Sequence, residues 1–242
     1  MHKIIECINT FSVYISAIII LYSFIKVSID LMDYFRKKRK LIKILNIKNK
    51  VLISPSMFEM KKFVKDWDLV FDEFITYGDM KAVLQIISVL NKLHYTFDLY
   101  TDRNVEFPEI HIGLKTNKYA LNYVKKVCPT YKSWMESDGT VMLKFGNRLL
   151  YYRYNMYDYA FLIKLTKDDY YGRTIHLIFG GYDLGTYKAI EFLSSYSNQI
   201  YKRFKQGHYC IAVKVDFRSR AFDMVTGIID LTDDFFNTSN NL

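Results

Sequence analysis

Residues 174–205, TIHLIFGGYDLGTYKAIEFLSSYSNQIYKRFK, decide the fold class. Thr174 to Phe179 is an apolar run of strand length, and Ala189, Ile190, Leu193, Tyr196, Ile200 and Phe204 then recur at three-and-four spacing, predicting a helix from Thr186 to about Lys205. Between them lies Gly180-Gly181-Tyr182-Asp183-Leu184-Gly185-Thr186. A strand that passes through a glycine turn into a helix is the building unit of a layered α/β sheet. Glycines let the backbone turn sharply and approach a ligand, and the first amides of the helix, with its dipole, can hold an anion. Gly180, Gly181, Asp183, Gly185 and Thr186 are therefore candidate ligand contacts, with Thr186 able to cap the helix. The plainer alternative is a tight turn whose glycines serve packing alone, because the spacing is neither GxGxxG nor a Walker loop.

The same alternation extends upstream. Val51 to Ser54 reads as a first strand, stopped by Pro55, and the mixed pattern of Phe58 to Phe74 follows. Met80, Val83, Leu84, Ile87 and Leu90 form a helical stripe after Gly78-Asp79, with Asp79 as its cap. Tyr95 to Tyr100 and Glu109 to Gly113 read as strands, and a helix opens at Thr116-Asn117 and stops before Pro129. Val141 to Phe145 and Arg148 to Tyr152 flank Gly146-Asn147 as a hairpin. Tyr159 to Leu165 and Tyr209 to Val215 are further strands, and Val225 to Leu231 is an edge strand. The expected fold is α/β: a Rossmann-like, largely parallel sheet with an antiparallel insertion around residues 141–165.

Such sheets bind ligands beyond the carboxyl ends of their strands. Two more loops belong on that edge. Gly78 and Asp79 open one helix, and Lys115, Thr116 and Asn117 open another; Lys115 can neutralise a phosphate, Thr116 and Asn117 can donate, and Asp79 or Asp183 can accept from a ribose or base. Each also has a local explanation, since Asp79 and Thr116 are ordinary capping residues.

The N-terminus carries a different signal. Residues 7–25, CINTFSVYISAIIILYSFI, hold no charge, and Arg36-Lys37-Lys38-Arg39-Lys40 follows. A hydrocarbon core of about 30 Å takes about 20 apolar helical residues, so an N-terminal transmembrane helix is expected. Residues 36–50 contain eight Lys or Arg and no acid, against Lys3 alone before the apolar run, which places the C-terminal domain in the cytoplasm of a single-pass inner-membrane protein. A cleaved signal peptide would need a basic start and a small-residue cleavage site, whereas this segment runs on into Asp30 and Asp33. A buried core helix is disfavoured because Ile18 to Leu21 is apolar on every face. Asn9, Thr10, Ser12, Ser16 and Ser23 offer positions for helix association, and a homo-oligomer is expected. The division is thus 1–35 for the N-terminal segment and span, 36–50 for a basic juxtamembrane linker, and 51–242 for the cytoplasmic domain.

Formal net charge is +9, and nearly all of it resides in residues 36–50. Nucleic acid is therefore not the expected partner, because a nucleic-acid-binding domain spreads its basic residues over a folded face. Cys7, Cys128 and Cys210 form neither a disulfide framework nor a zinc site, and no metal or cofactor is expected. GxSxG, HExxH and Cys-His pairings are missing, and His2, His94, His111, His176 and His208 are scattered singly. Asp168-Asp169 and Asp233-Asp234 read as solvated loop acids. No catalytic residue is assigned; Glu191, one turn beyond the glycine loop, could act on a bound nucleotide but lacks a partner in the sequence pattern.

The succession TYGDMKAVLQIISVL, EIHIGLKTNKYALNYV and DYAFLIKLTKDDYYGRTIHLIFGGYDLGTYKAIEFL resembles a loosely defined group of prokaryotic Rossmann-like domains over residues 51–216. Joined to one membrane span, it is similar in architecture to membrane effectors of prokaryotic antiviral systems, whose cytoplasmic domains sense nucleotide second messengers. That resemblance implies a membrane-anchored sensor binding a phosphate-containing small molecule. The alternatives are a membrane-attached enzyme acting on a nucleotide or sugar-phosphate through Asp183 or Glu191, and a protein-binding scaffold.

Overall fold

The computed structural model describes residues 2–47, 50–59, 73–99, 107–115, 117–166, 173–223 and 227–236. Thr116, Asp168, Asp169 and most of the 58–74 segment lie outside them. Two compact units are present, residues 1–40 and residues 41–242. The first is one helix, α1 (His2–Leu45), whose last turn belongs to the second unit. Its stretch Tyr14–Leu45 is long and apolar enough to cross a membrane, a test that a signal sequence or a soluble helix also meets. Ile18, Ile20, Tyr22 and Phe24 are 66–70% exposed.

The second unit is a mixed α/β layer structure. Strands β1 (Lys50–Ser54), β4 (Thr96–Leu99), β5 (Glu109–Ile112) and β10 (Ile175–Gly180) run parallel in the order β4-β1-β5-β10. Helix α2 (Tyr77–Lys92) makes the crossover from β1 to β4, and α3 (Lys118–Val127) follows β5. A short ribbon, β2 (Phe58–Glu59) with β3 (Glu73–Phe74), stands apart. Beyond β10 the direction alternates: β9 (Tyr157–Leu165) is antiparallel to β10, β11 (Tyr209–Asp216) antiparallel to β9, and β12 (Ile228–Asp230) antiparallel to β11. The sheet is mixed because β9 inserts between two strands that run parallel to each other. The remaining elements are β6 (Lys132–Met135), β7 (Thr140–Phe145), β8 (Arg148–Arg153), α4 (Asp183–Ser195), α5 (Ser197–Phe204) and α6 (Thr232–Phe236).

Alternation along the strands divides the interior into two cores. One face packs Ile53, Ile110, Leu162, Ile178 and Val213 against α2, α4 and α5. The opposite face packs Phe161, Ile163, Leu177 and Phe179 against α3, α6 and the inward residues Val141, Leu143, Phe145, Leu150 and Tyr152 of the β6-β7-β8 meander. The hairpin at Gly146-Asn147 forms as the sequence predicts, and β6 extends it by a strand that the sequence pattern does not reveal.

Three expectations change. Residues 36–45 are helical, and Leu41, Ile44, Leu45 and Ile47 are buried in the first core, so the end of the expected 36–50 linker is part of the domain. Asn46, at φ 50°, stops α1 and donates from Nδ2 to Thr174 Oγ1 at 3.0 Å. His176 donates to the Leu45 carbonyl at 2.9 Å; burial holds its pKa down to about 3, so it is neutral. The predicted helix 186–205 is two helices broken at Tyr196, whose ring stacks on Phe192 at 4.7 Å. Finally, α2 is capped by Thr76, whose Oγ1 accepts from the Asp79 amide at 3.2 Å, and α3 by Asn117, whose Oδ1 accepts from Ala120 at 3.0 Å; Asp79 is a first-turn residue instead.

Candidate functional site

The parallel strands β1, β5 and β10 and the similarly directed β11 all end on one edge, and α2 and α4 begin there. The three loops singled out in the sequence meet on this edge. Gly78 N donates to Asp183 Oδ2 at 3.3 Å, so the openings of α2 and α4 touch. Gly113, at φ 79°, leaves space that a Cβ would take from Ser56 and from Asp79, whose Oδ2 would lie 3.1 Å away. Asn117 is 3% exposed; besides capping α3, it donates from Nδ2 to the Ser54 carbonyl at 2.9 Å, tying β1 to the β5 loop. Its donors are spent on the fold.

The glycine turn has an internal anion. Asp158, 0% exposed on β9, accepts from Tyr182 N at 3.0 Å, from Gly185 N at 2.7 Å and from Tyr159 N at 2.7 Å. The helix amides that the sequence offers to a ligand already hold a carboxylate. Burial pushes the Asp158 carboxyl up to about 7, against the pull of these amides. A Cβ on Gly185 would overlap the Tyr159 carbonyl oxygen, so this glycine permits the close approach of α4 to β9. Thr186, 3% exposed, does not cap α4; its hydroxyl accepts from Gly180 N at 2.9 Å and locks the turn. Tyr182 is the N-cap residue and makes no side-chain capping bond.

Outside this locked turn the edge opens into a pocket of about 580 Å³, lined by Gly78, Lys115, Gly181 and Asp183 among the residues anticipated from sequence. Gly180, Gly185, Thr186, Asp79 and Asn117 are not among its lining residues. Sequence reasoning missed the rest. Tyr77, Lys81, Tyr154, Tyr182, Leu184, Tyr187, Phe217 and Arg220 complete the wall. Lys81 lies one turn after Tyr77, and Tyr187 one turn after Asp183, so helical spacing at the two N-termini could have found them. The Lys81 ammonium sits between two rings, 5.0 Å from the Tyr77 centroid and 5.1 Å from that of Tyr187. Tyr154, Tyr182 and Phe217 form an edge-to-face group with centroids 5.2–6.1 Å apart. Arg220, at φ 55°, and Phe217 come from the turn after β11, whose geometry Asp216 sets by accepting from Arg218 N at 3.0 Å and Ser219 N at 2.7 Å.

The electrostatics are uneven. Among the described residues no acid forms an ion pair with Lys81, Lys115 or Arg220, whereas Lys188 pairs with Glu191 at 2.7 Å and Arg203 with Asp230 at 2.8 Å. Glu191 is thus engaged, and it does not line the pocket. Asp79 lies behind the pocket, 5% exposed. Burial and then the Asp183 charge push its carboxyl up to about 6, opposed by hydrogen bonds with Thr76 and Thr186. Among the described residues there is no cluster of three metal-ligating side chains. Chemically, the pocket can stack a flat group and neutralise an anion. No protein-family model, no characterised protein and no solved structure matches this chain.

Proposed function

We propose that this chain is a membrane-anchored sensor or effector whose α/β domain binds a phosphate-bearing small molecule of nucleotide type. One observation carries the reading: three cations that pair with no acid among the described residues, Lys81, Lys115 and Arg220, surround a pocket walled by Tyr77, Tyr154, Tyr182, Tyr187 and Phe217. Base stacking on an aromatic side chain is worth about 1–3 kcal/mol, and cation–phosphate hydrogen bonds are stronger than neutral ones. A volume of about 580 Å³ is in the range of small-molecule sites. The order β4-β1-β5-β10, with the chain leaving β1 to both sides, favours a Rossmann-like relationship and a ligand at the carboxyl edge. The Lys and Arg distribution around the apolar helix favours an inner-membrane anchor with the domain in the cytoplasm. Helices α2 and α4 flank the pocket and share one core with Leu41, Ile44 and Leu45, so a ligand that draws their N-termini together also acts on the end of α1. An oligomeric effector that disturbs the membrane on sensing a nucleotide messenger, as in antiviral defence, fits this coupling.

The test is a thermal-shift series on the full chain in detergent with linear and cyclic nucleotides and with inorganic phosphate. Selective binding raises the apparent Tm, and a rise of several degrees that Lys81→Ala and Arg220→Ala remove supports the reading. Unchanged melting with every nucleotide sinks it.

A further inference from the structure

The outward face of the β6-β7-β8 meander is a regular grid. Its rows are Lys132, Lys144 and Leu149, then Trp134, Met142 and Tyr151. Their strand neighbours Leu143, Leu150 and Tyr152 point inward and are buried, so the opposite side has no packing partner among the described residues. Trp134 is 39% exposed, Leu149 47% and Tyr151 56%. The patch continues onto β9, where the Tyr157 ring lies 6.1 Å from Tyr151 and carries Lys214 Nζ at 4.0 Å.

Lys132 and Lys144 are directly opposed across the strand pair, an arrangement that costs stability unless an anion relieves it. Among the described residues neither has an acidic partner. The nearby acids are already used: Glu136 accepts from the Trp134 indole at 2.6 Å, and Asp138 accepts from Thr140 and faces Arg153 at 3.8 Å. Indole, phenol and aliphatic groups interleaved with uncompensated lysines match an anionic lipid headgroup layer. Tryptophan and tyrosine sit at membrane interfaces, and basic residues near an anionic leaflet gain about 1 kcal/mol each, about fivefold in occupancy.

We infer that this meander face docks on the anionic leaflet of the membrane to which the chain is anchored. The inference rests on the anchor and is independent of the pocket's ligand. The full chain with Trp67→Phe leaves Trp134 as the single tryptophan. It is reconstituted in nanodiscs of brominated phosphatidylcholine, with or without phosphatidylglycerol. Docking produces blue-shifted, quenched Trp134 emission in the anionic discs, and Lys132→Gln and Lys144→Gln each weaken that occupancy about fivefold. Co-elution with the discs but unquenched Trp134 in both lipids overturns the docking and leaves the anchor standing. Equal quenching in neutral discs also overturns it, as does a blue shift without quenching, which marks a protein partner such as a second copy. Failure to co-elute with discs removes the anchor and the docking together.

Discussion

The two ends of β5 gather similar groups and treat them in opposite ways. At its start Glu109, 2% exposed, accepts from Arg173 Nη2 at 2.9 Å, from Tyr123 Oη at 3.1 Å and from His111 Nε2 at 2.7 Å. At its end Lys115, with Lys81 and Arg220, lines an aromatic pocket without an acid to pair with among the described residues. Burial explains the difference. A charge removed from water must be matched inside the fold, whereas charges at a solvated mouth can stay unmatched until a ligand arrives. Burial by itself would raise the Glu109 carboxyl, but His111, Arg173 and Tyr123 outweigh it and hold the group below its usual value.

This contrast can be broken most severely at Glu109. Glu109→Ala takes the shared acceptor from Arg173, His111 and Tyr123, and is expected to cost about 3–5 kcal/mol in denaturant melts. A loss under about 1 kcal/mol would show that the network contributes little net stability.

The next effect belongs to the locked turn. Asp158→Ala leaves the part-buried Tyr182 amide and the buried Gly185 amide without their acceptor, at about 1–3 kcal/mol for a buried group left unsatisfied. Urea unfolding measures the loss, and hydrogen exchange at the start of α4 should rise with it.

Asp79 gives a smaller change of opposite sign. Folding raises its carboxyl from 3.8 to about 6, so between those values the folded protein binds more protons and stability falls as pH rises. Asp79→Asn removes that cost: parent and variant should melt alike below pH 3.8, and the variant should gain about 1–3 kcal/mol above pH 6. Equal pH profiles would deny the ionisation penalty. A residue kept at such a cost beside a pocket fits a functional demand on the site.

The smallest stability effects are expected at the pocket cations. Lys81→Ala, Lys115→Ala and Arg220→Ala should each change stability by no more than about 0.5 kcal/mol, because nothing buried loses a charged partner. A large destabilisation from any of them would place it with Glu109 as a structural charge.

Much of the fold was legible because period and punctuation are local. The apolar runs Val51 to Ser54 and Ile175 to Phe179 and the Gly146-Asn147 hairpin appear where the pattern puts them; α2 forms as expected, but its buried stripe is Ala82, Val83, Ile86 and Leu90, whereas Met80 and Leu84 of the expected stripe are exposed. β6 was hidden because its residues are exposed throughout and show no alternation. The candidate site was legible in part. Helix-opening loops foretell which edge they share, and Gly78, Lys115, Gly181 and Asp183 do line one pocket. Asp158 was the concealed element, although a carboxylate within the apolar run of β9 is itself a signal of a buried acceptor.

The sequence by itself determined the apolar N-terminal helix, the basic block after it, the order of the main strands and helices and the edge on which the helix-opening loops gather. These follow from composition and from periods of two and 3.6 residues, which need no knowledge of distant neighbours. Only the tertiary structure decided that the glycine turn is filled by Asp158, that β9 lies between β10 and β11, and that Phe217 and Arg220 reach the same pocket as Lys81. Those outcomes depend on contacts between residues far apart in the chain, where hydrogen-bond satisfaction and close packing choose among partners that local pattern leaves equivalent.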